Sequence, residues 1–371
     1  MPKSDFTSVI EETRLLLQIN SEEWLGRYVD YAKKISGNID SIKFVCSSFR
    51  EWSPLKVYLN ITSAKTAKRS VSFELRYLGQ TVTKLIGNKD RKHKLNTKNY
   101  EKNNRDYFRC DIPLSSADWD GDDAAKFRSY FKNRKDTHNT GEHKKHDEHR
   151  LESLLLTEFS RIKNKVIRHI KPVTFGGVRF PMPTPISASA HKAVKYSGTS
   201  GGGIDIMVRT GTGGKATRLC IMELKDENKK SEPPKDAMKQ AVAYATFIHE
   251  LLRSKAGAAW WKLFGFGGKI PEPLELYAAC VMPSGLYNDY SFGNMELNIE
   301  RDTIKLHYLY FNEENNRITI KPMILPFTGV IDYRTGFIAF FVVIIIRAVA
   351  NLYRNNVLTL EQAVLFPLRI P

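Results

Sequence analysis

Three ionisable residues stand out by type and spacing: Asp205, then Glu223 and Lys225, within GGGIDIMVRTGTGGKATRLCIMELK at 201–225. The stretch predicts a β-hairpin, with one strand over 204–209, a Gly/Thr-rich turn at 210–214 and a second strand over 219–225. Side chains alternate along a strand, so Glu223 and Lys225 share a face while Met222 and Leu224 point the other way. In the first strand Ile204, Ile206 and Val208 take one face and Asp205 the opposite one. Pairing the strands can therefore bring two carboxylates and one lysine together. That grouping suits divalent-metal chemistry, because hard oxygen donors hold Mg²⁺ and leave waters and phosphate oxygens in its shell. The metal lowers the pKa of a bound water, and a nearby lysine can orient that water or stabilise developing charge. Taken alone, Glu-x-Lys is common, and an ordinary cross-strand ion pair on a surface hairpin is the better account of it.

The flanking segments would have to position these groups. A helix is expected from Arg150 to about Arg168, its buried stripe formed by Leu151, Leu155, Phe159, Ile162 and Val166. Val173–Pro185, punctuated by prolines, suits a first core strand and its exit. The small, polar and glycine-rich segment 187–203 reads as a mobile loop or a linker into the hairpin. After Lys225 comes the polar loop DENKKSEPPKD, then a helix from Asp236 to Arg253 whose Ala237, Gln240, Ala241, Tyr244, Ile248 and Leu251 can lie on a sheet. Leu274–Met282 is an apolar strand fit for the middle of a sheet, and 303–311 with 317–321 form a further hairpin.

Asp205, an intervening turn and Glu-Leu-Lys closing an apolar strand resemble the PD-(D/E)xK nuclease superfamily. Gln240-Ala-Val-Ala-Tyr244 is similar to the QxxxY helix motif of several of its branches. The resemblance spans roughly residues 148–283, and it departs from the pattern at Ile204, where the family often has proline. It implies a restriction-endonuclease-like α/β core of helix, mixed central sheet and helix, preceded here by an α+β N-terminal domain. It also implies a site in which Asp205 and Glu223 bind Mg²⁺, for which Mn²⁺ can substitute. The Leu224 carbonyl is an extra ligand, Lys225 activates or orients the attacking water, and Gln240 and Tyr244 support the site. The helix opening such cores often carries an acidic residue aimed at the metal; Glu152 is the first choice, with Glu148 and Glu158 one to two helical turns away.

Charge agrees with a polyanionic partner. The 371-residue chain carries 57 basic and 40 acidic residues, a formal net charge of +17. Between 84 and 109 the basic residues Lys89, Arg91, Lys92, Lys94, Lys98, Lys102 and Arg105 crowd together, either a solvated loop or a phosphate-contacting arm. The polar stretch 135–149 is the clearest composition break. Its His143, His146 and His149 read better as a solvated linker than as a metal cluster, since no further ligand spacing accompanies them. The expected organisation is an N-terminal module over 1–140 for recognition or recruitment, a nuclease domain over 141–330 and an apolar C-terminal segment over 331–371.

Earlier in the chain, 5–19 and 21–35 predict two helices, the second capped by Ser21. Strands are expected at 55–61, 70–78 and 81–86, and a short helix at 122–134. Cys46, Cys110, Cys220 and Cys280 are widely spaced thiols without a CxxC pair, which suits a reducing compartment. No signal-peptide core opens the chain, and the most apolar run, 337–346, is too short to span a bilayer before Arg347, so a cytoplasmic protein without membrane partners is expected. No Walker A sequence and no recognisable methyltransferase signature are present. The expectation is therefore a stand-alone DNA endonuclease of the restriction or phage-defence kind. Alternatives are a non-catalytic nucleic-acid-binding module of nuclease-like fold, or an RNA or DNA-repair nuclease. A homodimer would suit a double-strand cut, and a partner protein could supply recognition or activation.

Overall fold

Leu219–Leu224 is buried at all six positions, so the hairpin's second strand cannot show a wet face and a dry face. It lies inside a sheet covered on both sides. The computed structural model describes residues 2–48, 54–61, 70–88, 95–98, 107–114, 119–134, 147–160, 170–189, 192–210, 218–315 and 317–320. Residues 1–327 form one compact unit. The segment 331–371, including the apolar run 337–346, lies outside the described residues.

In chain order, the first half contains α1 (Pro2–Ile19), α2 (Ser21–Gly37), α3 (Ile39–Ser48), β1 (Lys56–Asn60), β2 (Ser70–Tyr77), β3 (Gln80–Asn88), β4 (Leu95–Lys98) and α4 (Asp122–Lys132). Next come α5 (Asp147–Phe159) and a run of short strands: β5 (Ile170–Pro172), β6 (Thr174–Phe175), β7 (Val178–Arg179), β8 (Met182–Pro183), β9 (Ile186–Ser189), β10 (Lys192–Tyr196) and β11 (Gly203–Ile204). The remainder is β12 (Ile206–Thr210), β13 (Leu219–Leu224), α6 (Pro234–Arg253), α7 (Gly257–Leu263), β14 (Glu275–Pro283), β15 (Glu296–Ile299), β16 (Asp302–Glu314) and β17 (Arg317–Ile320).

The larger sheet runs β15-β16-β14-β13-β12-β5, with β17 paired to β16. β12 is antiparallel to β5 and β13, whereas β13, β14 and β16 run parallel to one another. Strict alternation sends Leu219, Ile221 and Met207 into one apolar core with Ala237, Ala241, Phe247 and Ile248 of α6. Met222, Leu224, Ile206 and Val208 go into a second core with Leu151, Leu155 and Phe159 of α5. Each fully buried Leu, Ile or Phe contributes about 1.5–3 kcal/mol. α6 begins with proline in its first turn, where the missing N–H costs no helical hydrogen bond. It is buried on nearly every face because α1 packs on the side away from the sheet.

A smaller six-stranded sheet runs β4-β3-β2-β1-β7-β6. In β2, Val71, Phe73, Leu75 and Tyr77 are buried and alternate with Ser72, Glu74 and Arg76, as the sequence pattern predicts. β1 pairs in parallel with β7 at Tyr58 and Arg179, and the Tyr58 ring is buried with Leu151 and Leu155. Elements from both sides of the expected boundary near residue 140 therefore share one sheet and one core.

Three local expectations change. Ser21 is the first residue of α2 and not its cap; the capping position is Asn20, whose amide donates to the Leu16 carbonyl of the preceding helix at 2.8 Å. Val173–Pro185 is broken into β6, β7 and β8, and the core strand is β5, just upstream. Pro181, Pro183 and Pro185 lack ladder donors, and Gly176 and Gly177 take φ of 55° and 88° to turn β6 into β7. Within 187–203, β9 pairs antiparallel with β10, and a 3₁₀ turn and β11 come after β10. Cys110, Cys220 and Cys280 are buried and Cys46 is half-buried. No helix among the described residues is long and apolar enough to cross a membrane.

Candidate functional site

Asp205 sits in a bend between β11 and β12, one residue before the Ile206–Met222 pair that ends the hairpin ladder. Its Oδ2 accepts a hydrogen bond from the Leu224 N–H at 2.9 Å, so the side chain takes over where the strand partner stops. This fixes the aspartate beside Glu223. The next main-chain N–H, of Lys225, bonds the Val281 carbonyl at 2.9 Å and continues the parallel ladder to β14. Glu223 is only 7% exposed. Its Oε1 accepts from Lys225 Nζ at 3.1 Å, and the same ammonium reaches Glu232 Oε1 at 3.3 Å. Glu223 Oε2 is buried without a hydrogen-bond partner.

Five carboxylates, Asp205, Glu223, Glu148, Glu152 and Glu232, surround the one ammonium of Lys225 in an acidic cluster. Burial pushes the Asp205 carboxyl up to about 7; the Leu224 N–H opposes the rise, and Glu152 and Glu148 add to it. Glu223 is raised well above the usual carboxylate range by burial and then by the charge of Asp205. Burial alone would pull Lys225 down, but Glu223, Glu232 and Glu148 outweigh it and hold the ammonium firmly protonated. In this arrangement the Lys225 ammonium is a hydrogen-bond donor to Glu223 and an ion-pair partner of Glu232.

The three glutamates of α5 take different places. Glu148 and Glu152 are one turn apart on the same helix face and both act on Asp205. Glu152 is buried and claimed by other partners, Arg76 of β2 at 3.5 Å and His149 at 3.3 Å. Arg76 itself lies over the Tyr58 ring and pairs with Glu74 at 3.0 Å. Glu148 is half-buried and raised by that burial, with Lys225 opposing the rise. Glu158 lies six residues beyond Glu152, about 9 Å further along the helix, and is not among the main electrostatic neighbours of Asp205 or Glu223.

Gln240 and Tyr244 face the same core as Glu223, one turn apart on α6. Gln240 is 3% exposed and its Oε1 has no partner. Burial raises the Tyr244 hydroxyl, followed by the charge of Glu223, while a main-chain hydrogen bond from Ala188 opposes the rise. A methyl group at Gly202 would stand 2.6 Å from the Tyr244 oxygen, and one at Gly201 would run into the Thr184 carbonyl. The glycine run is a close backbone approach to the site and not a spacer.

Among the described residues, no three His, Cys, Asp or Glu side chains are grouped to hold a metal ion. The donor set on hand is Asp205 and Glu223 with the Leu224 main chain beside them. Mg²⁺ is commonly held by one or two carboxylates, with waters and phosphate oxygens completing its shell. The orphaned Glu223 Oε2 and the repulsion between the two acids fit a hard divalent cation, which would satisfy the one and screen the other.

Of the basic residues between 84 and 109, Lys98 ends β4 opposite Lys84. Lys89, Arg91, Lys92, Lys94, Lys102 and Arg105 lie outside the described residues, as do His143 and His146. Two contributors were not legible in the sequence. Glu232 shares Lys225 from a polar loop, and Arg76 reaches Glu152 from a strand of the other sheet. Compared with protein-family models, curated proteins and solved structures, the chain matches none.

Proposed function

We propose that this chain is a Mg²⁺-dependent nuclease that hydrolyses DNA phosphodiester bonds, a member of the PD-(D/E)xK superfamily acting as a stand-alone endonuclease of the restriction or phage-defence kind. The observation that carries the reading is the convergence of Asp205, Glu223 and Lys225 where β12 begins and β13 ends, with one carboxylate oxygen left unbonded. The element order supports it: helix α5, the antiparallel strands β5, β12 and β13, helix α6, then β14 parallel to β13.

In this reading Asp205 and Glu223 hold the cation, with Glu148 or Glu152 completing the acidic wall. The bound ion would lower the pKa of a water and offset phosphate charge. Lys225 donates to the attacking water or to a phosphate oxygen, its own position set by Glu223 and Glu232. Gln240 and Tyr244 hold the floor of the site from α6. The net charge of +17 favours a polyanionic substrate.

Supercoiled plasmid and single-stranded DNA incubated with Mg²⁺ test the reading, wild type beside Asp205→Ala and the Glu223→Ala/Lys225→Ala double variant. Wild type should cut, and the variants should show nothing above background while keeping the wild-type circular dichroism spectrum. Discrete fragments would mark sequence-directed cutting, and a smear would mark nonspecific cutting. Cleavage by the variants at the wild-type rate would overturn the assignment. Binding of nucleic acid by a wild type that never cuts would replace it with the non-catalytic module.

A further inference from the structure

The loop that follows β14 is built rigidly, yet it holds apolar side chains out in water. Among the described residues five large apolar side chains are exposed, and three belong to this loop: Leu286 at 95%, Tyr287 at 43% and Tyr290 at 53%. Flexibility does not account for them. The Asn228 amide donates to the Pro283 carbonyl at 3.0 Å and to Asn288 Oδ1 at 2.8 Å, and its oxygen accepts from the Tyr287 N–H at 3.1 Å. Asn288 Oδ1 also accepts from the Gly285 N–H at 3.0 Å. Gly285 lies so close to Asn228 that a methyl group there would stand 2.9 Å from its amide carbon. At the base, the Tyr310 hydroxyl bridges the N–H and carbonyl of Asp289 at 2.7 Å each.

Topology puts this tip beside the acidic cluster. β13 and β14 are parallel, with Glu223 opposite Cys280 and Leu224 opposite Val281, so both strands deliver their following loops to the same edge of the sheet. Pro283 ends β14 only two residues past Val281, and Asn228, which pins the tip, comes three residues after Lys225. A fixed tip of one leucine and two tyrosines at that edge, on a chain of net charge +17, matches the chemistry of an unstacked nucleobase: an aromatic face to stack on and an apolar wedge beside it.

We infer that the 284–290 tip is the base-contacting element of the site, Leu286 and Tyr287 packing on unpaired bases next to the phosphate that is cut. The inference rests on the nuclease reading and adds a preference for single-stranded, gapped or distorted substrate. Tyr290 anchors the tip, because its ring packs edge-on against Tyr310 at 5.2 Å, so it is left intact in the test.

The test compares full-length wild type with Leu286→Ala/Tyr287→Ala, titrated by fluorescence anisotropy against a labelled single strand and the matching duplex, with Ca²⁺ replacing Mg²⁺. Light scattering follows the mass of both proteins. The variant should bind the single strand about five- to a hundredfold more weakly, the range for losing one base stack. Its duplex affinity should be unchanged, and so should its salt dependence, since neither side chain releases counterions. Equal affinity for the single strand, or an equal loss on duplex, would overturn the inference. So would a wild-type oligomer that falls apart in the variant, which would make the tip a protein interface. Plasmid cutting that depends on Asp205 while the tip variant binds normally would sink this inference alone; a wild type that binds no nucleic acid would sink both.

Discussion

At the scale of single residues, the site is defined by charge held in excess of its counter-charge. Asp205 and Glu223 are raised together, and the Lys225 ammonium opposes both rises. A carboxyl whose folded pKa exceeds its unfolded value binds its proton more tightly in the native state. Its contribution to stability is complete below the unfolded value of 3.8 and is lost as pH rises through about 7. In a chelator, therefore, wild-type stability should fall across that window relative to Asp205→Asn. The asparagine keeps an oxygen for the Leu224 N–H and removes the repulsion. At pH 8 we expect the variant to melt above wild type, each kcal/mol appearing as about 1–2 °C at this chain length. Adding Mg²⁺ or Ca²⁺ should raise the wild-type melting temperature, more so at higher pH, and leave the variant unmoved. Thermal scans at pH 5 and 8, with and without metal, check all of this; a cation response retained by Asp205→Asn would refute it.

At the scale of elements, the hairpin, the alternation of β2 and the faces of α6 were legible because each is a local rhythm of apolar and polar residues. Breaks in rhythm were not. The short strands between 174 and 196 are cut by prolines and glycines, with β7 also paired to the distant β1 and β8 to β11, and α3, α7 and β15 carry too few residues to declare a period. Ion pairs across elements leave no local trace either. The clearest lies at the far end of α6, where Asp302 of β16 binds Arg253 at 2.6 Å and His249 at 2.9 Å and accepts from the Leu274 N–H at 2.7 Å. Burial would raise this carboxyl, yet Arg253, Leu274 and His249 together hold it down at about 2. Its sign is opposite to that of Asp205: the stabilisation is present above 3.8 and is lost as pH falls toward 2. Asp302→Ala leaves the Leu274 N–H without its acceptor and Arg253 with only the Pro271 carbonyl and a Glu272 contact at 3.9 Å, and should cost about 3–5 kcal/mol. Urea titration at pH 7 measures it, and a loss under 1 kcal/mol would show that the network is dispensable.

At the scale of the whole molecule, the two sheets are interleaved along the sequence. β1 of the first half pairs with β7 of the second, Arg76 binds Glu152, and Tyr28 donates to the Pro183 carbonyl at 2.5 Å while its own carbonyl accepts from Trp260. Composition marks residue 140 as a seam because the chain there is polar, but polarity in the sequence does not divide a core that reassembles on both sides of it. A fragment of residues 141–371 should consequently fail to fold: it would bare the α6 face that α1 covers and the edge of β7. Limited proteolysis and near-ultraviolet circular dichroism would show this, and a protease-resistant fragment with native aromatic signals would contradict it.

The packing of α1 on α6 also sets an order of events on the ribosome. About 215 residues separate the end of one helix from the start of the other, roughly ten to forty seconds of synthesis at 5–20 residues per second. Throughout that interval Phe6, Ile10 and Leu17 wait for a surface that has not been made. Chaperones that hold apolar segments have that long to act. Gln240 and Tyr244 belong to the same late helix, so a nascent chain cannot complete the surroundings of Asp205 and Glu223 until nearly seven-tenths of it has been translated.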